Sequence, residues 1–240
     1  MAFFNGRTAL YILLALVTVM VLSGQYLVPP IDRDESRFAQ ASRQMLQSGD
    51  YVTIRFQDEL RAKKPAGIYW LQAAAANLLG EADIASYRFV NLLALLAAIF
   101  ILYHVGLRLY EPALALAASV SFASCFLVFA EAHLAKTDTV LMLAVLVQQW
   151  ALMRIYLDRQ SGAVKSRADW FWFWGAMAVG ILIKGPVAPA VAILTLGSLV
   201  MWHREIRWLR HLQFWRGLTL IAAICLPWAI LVTIKTDGAF

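Results

Sequence analysis

The chain has 240 residues, 61% of them hydrophobic and only 15% charged, with a mean hydropathy of +0.66. Soluble domains run at roughly 45–50% apolar and about 25% charged, so an ordinary water-soluble globular protein is excluded. The formal charge of +6 comes from 21 Lys+Arg against 15 Asp+Glu; the cations lie between apolar runs instead of on one stripe, which argues for membrane topology and against nucleic acid as a partner.

Taken in chain order, seven apolar runs recur, at residues 8–28, 87–107, 113–130, 140–156, 170–183, 187–201 and 218–234, against about 20 residues for a spanning helix. The first exceeds the length of a signal-peptide core and ends in Tyr26-Leu27-Val28-Pro29-Pro30 without a small-x-small site, so it reads as a retained span. The fifth and sixth are short and divided only by Lys184-Gly185-Pro186. They read as two spans meeting at a tight turn, with one broken helix as the alternative; together they are too long for a single crossing.

Short-loop cations set the orientation. With a cytoplasmic N-terminus, the inner side receives Arg7, Arg108, then Arg154, Arg159, Lys165 and Arg167, then Arg204, Arg207, Arg210 and Arg216, while the opposite short turns hold only Lys136 and Lys184. Trp170, Trp172, Trp174, Trp202, Trp208 and Trp215 stand at run ends, as an interfacial aromatic belt would have them. Cys125 and Cys225 are 100 residues apart in apolar runs and read as small core residues, with no disulfide or metal spacing.

Residues 29–86 form the single long outer loop. Asp34 is placed to cap a helix starting at Glu35, with Phe38, Ala41, Met45 and Leu46 on one face and Arg37, Gln40, Arg43, Gln44 and Gln47 on the other. Gly49 supplies the stop. That pattern predicts a helix lying along the membrane surface. A second helix over residues 66–79 follows Lys63-Lys64-Pro65.

Charged side chains at a membrane boundary are costly and point to function. The outer side gathers Asp32, Asp34, Glu35, Glu131 and Asp138 with Arg37, Lys63, Lys64, Arg88, Lys136 and Lys184. Cations can hold a phosphate, and a carboxylate can take a proton from an attacking hydroxyl. Glycosyl transfer from a polyprenyl-phosphate sugar fits this chemistry: the phosphate leaves as an anion that cations stabilise, so one base suffices. Each residue also has a structural reading. Asp34 and Asp138 can be helix caps, Lys64 a headgroup-binding lysine, and Lys184 a lysine reaching to the interface. His104 and His133 have no partner at ligand spacing.

The segments Asp34-Glu35-Ser36-Arg37-Phe38-Ala39, Ser48-Gly49-Asp50-Tyr51 and Lys64-Pro65-Ala66-Gly67-Ile68-Tyr69-Trp70 resemble the first outer loop of bacterial ArnT-like aminoarabinose transferases, relatives of the protein O-mannosyltransferases with the GT-C fold. Arg88-Phe89, Thr137-Asp138 and Lys184-Gly185-Pro186 extend the resemblance over nearly the whole chain. It implies that Asp34 lies at the catalytic centre with Glu35 beside it, that Lys64 contacts the lipid-linked phosphate, and that Asp138 contributes to the same cavity. Arg37, Arg88 and Lys184 would assist in holding the donor phosphate. The family has an acid before its Lys-Pro pair where this chain has Lys63. No cofactor is dictated; a divalent metal is compatible, with no residue assigned to it.

The resulting expectation is an all-α, polytopic transmembrane bundle of about seven spans, with in-plane amphipathic helices in the first outer loop. Residues 1–240 would be the N-terminal catalytic portion of a GT-C glycosyltransferase, with relatives continuing beyond Phe240. It would sit in the bacterial inner membrane with its active site periplasmic, taking an undecaprenyl-phosphate-linked sugar and a lipid or protein acceptor. A lipid flippase or transporter and a non-catalytic scaffold are the rivals. Charges clustered at one face, with no inverted repeat, favour the transferase.

Overall fold

A computed structural model describes residues 6–158 and 168–240 of the chain. Arg159, Lys165 and Arg167, which entered the charge asymmetry above, lie outside the described residues. The described chain is helical apart from one two-stranded hairpin. Four helices have the length and apolarity to cross a membrane: α1 (Gly6–Leu27), α4 (Ile84–Leu109), α7 (Asp138–Asp158) and α10 (Phe214–Lys235), the last counted with the 3-10 turn Arg207–Leu212 that leads into it. The third apolar run is two helices, α5 (Pro112–Ala123) and α6 (Phe126–Ala132), bent by 61° and making at most one further span. The fifth and sixth runs are separate helices, α8 (Asp169–Lys184) and α9 (Val187–His203). At 16 and 17 residues they reach only about 24–26 Å, short of a hydrocarbon core of about 30 Å. Gly185, between them, sits at φ 65°, ψ −125°, a conformation that only glycine adopts without strain.

The chain forms two compact units, Met1–Arg61 with Ile68–Leu143, and Ala62–Gly67 with Ala144–Phe240. In the first, α1 packs on α4 and α5, and α4 also packs on α6. Their shared core comprises Leu10, Val17, Val21, Leu92, Leu95, Ile99 and Tyr103. The outer-loop helices α2 (Arg33–Ser48) and α3 (Gly67–Leu79) carry the elements of interest. Helix α2 buries Phe38, Ala41 and Met45 as its sequence periodicity predicts, and also Glu35, Ala39 and Ser42. Its outward Gln40, Arg43 and Gln47 are exposed. A hairpin, β1 (Arg55–Phe56) and β2 (Glu59–Leu60), pairs antiparallel beside α2.

In the second unit, α8 is central, packed on α9, α10 and the 3-10 turn. Phe173, Trp174, Met177, Leu152, Ile155, Trp208 and Leu212 form its core. Trp174 and Trp208 therefore depart from the expected aromatic belt: they are 5% and 2% exposed. Their indole N–H groups find internal acceptors, Leu212 O at 2.6 Å and Glu205 O at 2.9 Å, which removes the need for an interfacial position. Trp172, Trp202 and Trp215 remain exposed as expected. Cys125 also departs from expectation, since it stands exposed at the α5–α6 bend instead of in a core.

Candidate active site

The first unit assembles the carboxylates. Helix α2 begins two residues earlier than the sequence suggests, at Arg33, and its cap is Asp32, not Asp34. Asp32 Oδ1 accepts from the backbone N–H of Asp34 at 2.7 Å and of Glu35 at 3.3 Å, satisfying donors that a helix start leaves open. Asp34, released from capping, projects from the first turn with its side chain 60% exposed, 3.6 Å from Arg37 Nη1. Nearby, Arg61 Nε donates to Tyr69 Oη at 2.9 Å and its guanidinium lies 5.1 Å from the Phe38 ring centroid. Burial pushes the Tyr69 phenol up; Arg61 opposes this, and the negative charge of Asp34 adds to the rise.

Glu35, the next residue, faces inward and is completely buried, paired with an equally buried Arg88 of α4. Arg88 Nε and Nη2 donate to the two Glu35 oxygens at 2.6 and 3.0 Å. Its Nη1 donates to Gln25 O and Val28 O at 2.8 and 2.6 Å. Glu35 Oε1 also accepts from Ala135 N at 2.9 Å. A bidentate pair with its remaining donors used on carbonyls is the arrangement in which burial of two charges is tolerated. Neither residue presents an atom to a ligand. The node ties the end of α1, the start of α2, the start of α4 and the loop before α7 into one piece.

That loop leads to Asp138, the first residue of α7, half-buried at a helix N-terminus where a carboxylate is favoured. Lys136 in the loop donates from Nζ to Asp32 Oδ2 at 2.6 Å. This hydrogen bond, with the N–H groups of Asp34 and Glu35, holds the Asp32 carboxyl below its usual range. Burial pulls Lys136 down, but the bond to Asp32 and the charges of Glu131 and Asp138 outweigh it and hold the ammonium above its usual range. The segments bearing Asp34 and Asp138 are thereby joined through Asp32 and Lys136.

The second unit assembles two of the cations. Lys64 is half-buried in the stretch Ala62–Gly67, and Lys184, also half-buried, ends α8, where the carbonyl end of the helix favours a cation. The two segments meet at Gly67, where an added Cβ would lie 2.7 Å from Leu182 O and 2.9 Å from its carbonyl carbon. Only a residue without a side chain lets the Lys64-Pro65-Ala66-Gly67 stretch rest on the last turn of α8.

Of the residues singled out from sequence, Asp34, Arg37 and Asp138 are placed with reactive atoms outside the buried node, Glu35 and Arg88 within it, and Lys64 and Lys184 together in the other unit. Sequence reasoning gave no role to Arg61 or Tyr69, although Tyr69 lies within the recognised motif, and treated Asp32 and Lys136 only as members of a charged inventory. Among the described residues, no three His, Cys, Asp or Glu side chains are grouped to hold a metal. His104 and His133 each bond through Nδ1 to the carbonyl four residues back, Phe100 O at 2.8 Å and Phe129 O at 2.7 Å.

Residues 63–231 match the profile of the dolichyl-phosphate-mannose-protein mannosyltransferase family. That range includes Lys64, Arg88, Asp138 and Lys184. Curated relatives extend the similarity further. One from Pseudomonas aeruginosa, an undecaprenyl phosphate-alpha-4-amino-4-deoxy-L-arabinose arabinosyl transferase, is 29% identical over 86% of this chain and 38% of its own length. Its counterpart from Aeromonas hydrophila is 28% identical over 88% of this chain and 39% of its own. The chain thus spans about two fifths of the length of these relatives. Among solved structures, ArnT from Cupriavidus metallidurans bound to undecaprenyl phosphate superposes with a TM-score of 0.85, at 23% identity, over 95% of this chain and 42% of that one. The same protein in the apo state gives 0.84 over 98% of this chain. At that identity the likeness shows a shared fold.

Proposed function

The chain belongs to the dolichyl-phosphate-mannose-protein mannosyltransferase family, and from that premise we propose that it transfers a sugar from a polyprenyl-phosphate donor to a lipid or protein acceptor at the periplasmic face of the inner membrane. The N-terminus is then cytoplasmic. The observation that carries the reading is the division of labour among the charged groups. One carboxylate, Asp34, is exposed on the first turn of α2 while its charged neighbours are consumed in structure. Two half-buried lysines, Lys64 and Lys184, are carried by segments that pack together at Gly67 and Leu182, and they supply the positive charge this reading needs for the donor phosphate. The curated relatives named for undecaprenyl-phosphate-linked aminoarabinose transfer and the ArnT structure bound to undecaprenyl phosphate support the donor class.

In the proposed reaction an acceptor oxygen attacks the anomeric carbon from the face opposite the phosphate. The bond from that carbon to the phosphate oxygen breaks, and the polyprenyl phosphate departs as an anion stabilised by Lys64 and Lys184, with inversion at carbon. Asp34 takes the proton of an acceptor hydroxyl; toward an acceptor that is already an anionic phosphate it orients and does not deprotonate. Arg37, 3.6 Å from Asp34, orients that carboxylate. Asp138 shapes the field around the acceptor, and Glu35 with Arg88 fixes α2 in place. The test is transfer of labelled sugar from undecaprenyl-phosphate donor by the natural gene product. Asp34→Asn is expected to lower kcat toward a hydroxyl acceptor by about 10²–10⁴-fold while the purified protein keeps its thermal transition. Unchanged kcat in that variant would overturn the role of Asp34.

A further inference from the structure

The loop between α6 and α7 is built more firmly than a connection requires. The buried Asn91 side chain donates from Nδ2 to the carbonyl of Glu131 in the last turn of α6 at 3.4 Å and to two carbonyls of the loop, those of Leu134 and, at 3.3 Å, of Lys136. Gln25, also buried, donates to Ala132 O at 2.8 Å. From this fixed base two adjacent residues reach α2 on either side of Asp34. Ala135 N–H bonds to Glu35 and Lys136 Nζ to Asp32. The second oxygen of Asp32 is occupied with the N–H of Asp34 itself.

We infer that Lys136 is a positioning residue of the transfer reaction, setting the direction of the Asp34 carboxylate through Asp32 while balancing the carboxylates that flank it. The inference rests on the transferase reading above. Lys136 is only 17% exposed, and ordering a lysine side chain gives up its rotamer freedom. A solvated surface lysine has no reason to accept that cost; one bonded to Asp32 and acted on by the charges of Glu131 and Asp138 does. Without the ammonium these negative charges repel one another. The first turn of α2 then keeps its cap but loses the tether that fixes its direction. Misplacing a catalytic group by about 1 Å is enough to cost ~10²-fold in rate.

Asn is as good a helix cap as Asp, so Asp32→Asn leaves α2 capped and removes only the charge that holds Lys136. The experiment measures kcat and donor KM for wild type, Lys136→Met, Lys136→Arg, Asp32→Asn and the Asp32→Asn/Lys136→Met double variant in the natural gene product, with thermal unfolding in detergent followed in parallel. Expected are a fall in kcat of about 10–100-fold in Lys136→Met and Asp32→Asn, donor KM within about twofold of wild type, partial rescue in Lys136→Arg, and a double variant no worse than either single one. A folded Lys136→Met or Asp32→Asn with wild-type kcat overturns the inference, as do losses that add. If Lys136→Met does not fold, Asp32→Asn and Lys136→Arg carry the same comparison. A wild-type protein that transfers no sugar sinks the transferase reading instead, which separates the two failures.

Discussion

Asp34 and Glu35 are one peptide bond apart and about 100° apart around α2, and that rotation separates their fates. One projects into solvent beside Arg37; the other is sealed against Arg88. The motif made both legible as important, but a motif does not say which neighbour faces inward. Helical phase decides it: Glu35 stands three residues before Phe38, on the buried face that Ala41, Ser42 and Met45 continue. Removing one member of the buried pair leaves an uncompensated charge, so Arg88→Met and Glu35→Gln are each expected to destabilise the protein by about 3–5 kcal/mol, read as a lowered thermal transition in detergent. Transition temperatures unchanged in both would contradict the buried node. The half-buried pair Asp32–Lys136 behaves differently with pH. Asp32 lies below its ordinary 3.8, so its contribution is full above that value and lost as pH falls past it. Lys136 lies above its ordinary 10.5, so its contribution is full below that value and lost as pH rises past it. The difference in stability between wild type and Lys136→Met is therefore expected to be flat from about pH 5 to 9 and to shrink toward either extreme. A difference that changes steeply near neutrality would assign the link to other groups.

Among the elements, α2 was the most legible, because Phe38, Ala41 and Met45 mark its buried face at helical spacing and a glycine ends it. The hairpin after it was not legible. Its strands are two residues each, and the turn places Gln57 at φ 56° without the glycine or asparagine that would announce it. A side chain from α2 does that work: Gln44 Oε1 accepts from Gln57 N at 2.8 Å and its Nε2 donates to Gln57 O at 3.1 Å. Such a tertiary clasp leaves no local signal. Trp174 and Trp208 were misread for a related reason, since an indole at a run end looks interfacial until its acceptor is known. The Lys64 stretch was legible as a motif, but the reason for Gly67 was not: it is the backbone of α8 that leaves no room. Gly67→Ala is expected to push that stretch off Leu182 and raise donor KM by about tenfold or more, approaching the effect of Lys64→Ala, for which the loss of a charge-assisted contact of about 1.5–3 kcal/mol is expected. An unchanged donor KM in Gly67→Ala would show that the packing does not position Lys64.

For the molecule as a whole, composition and run length established a helical membrane protein, and each of the seven runs became helix. Run length did not separate full crossings from shorter helices. The 113–130 run looked continuous and is bent at Ser124-Cys125, and the fifth and sixth runs end below crossing length. The grouping of the chain into two units was invisible from sequence because residues 62–67 leave their chain neighbours to join the part that starts at residue 144. The central claim is chemical, that a lipid-linked phosphate sugar is consumed here. It is tested most directly by incubating the natural gene product in proteoliposomes with undecaprenyl-phosphate donor labelled in the sugar, and measuring label in the acceptor against free undecaprenyl phosphate. The account predicts that both appear in equal amounts and that both are lost in Asp34→Asn with a hydroxyl acceptor. Intact donor crossing the bilayer with no label transferred would contradict it and identify a lipid translocator.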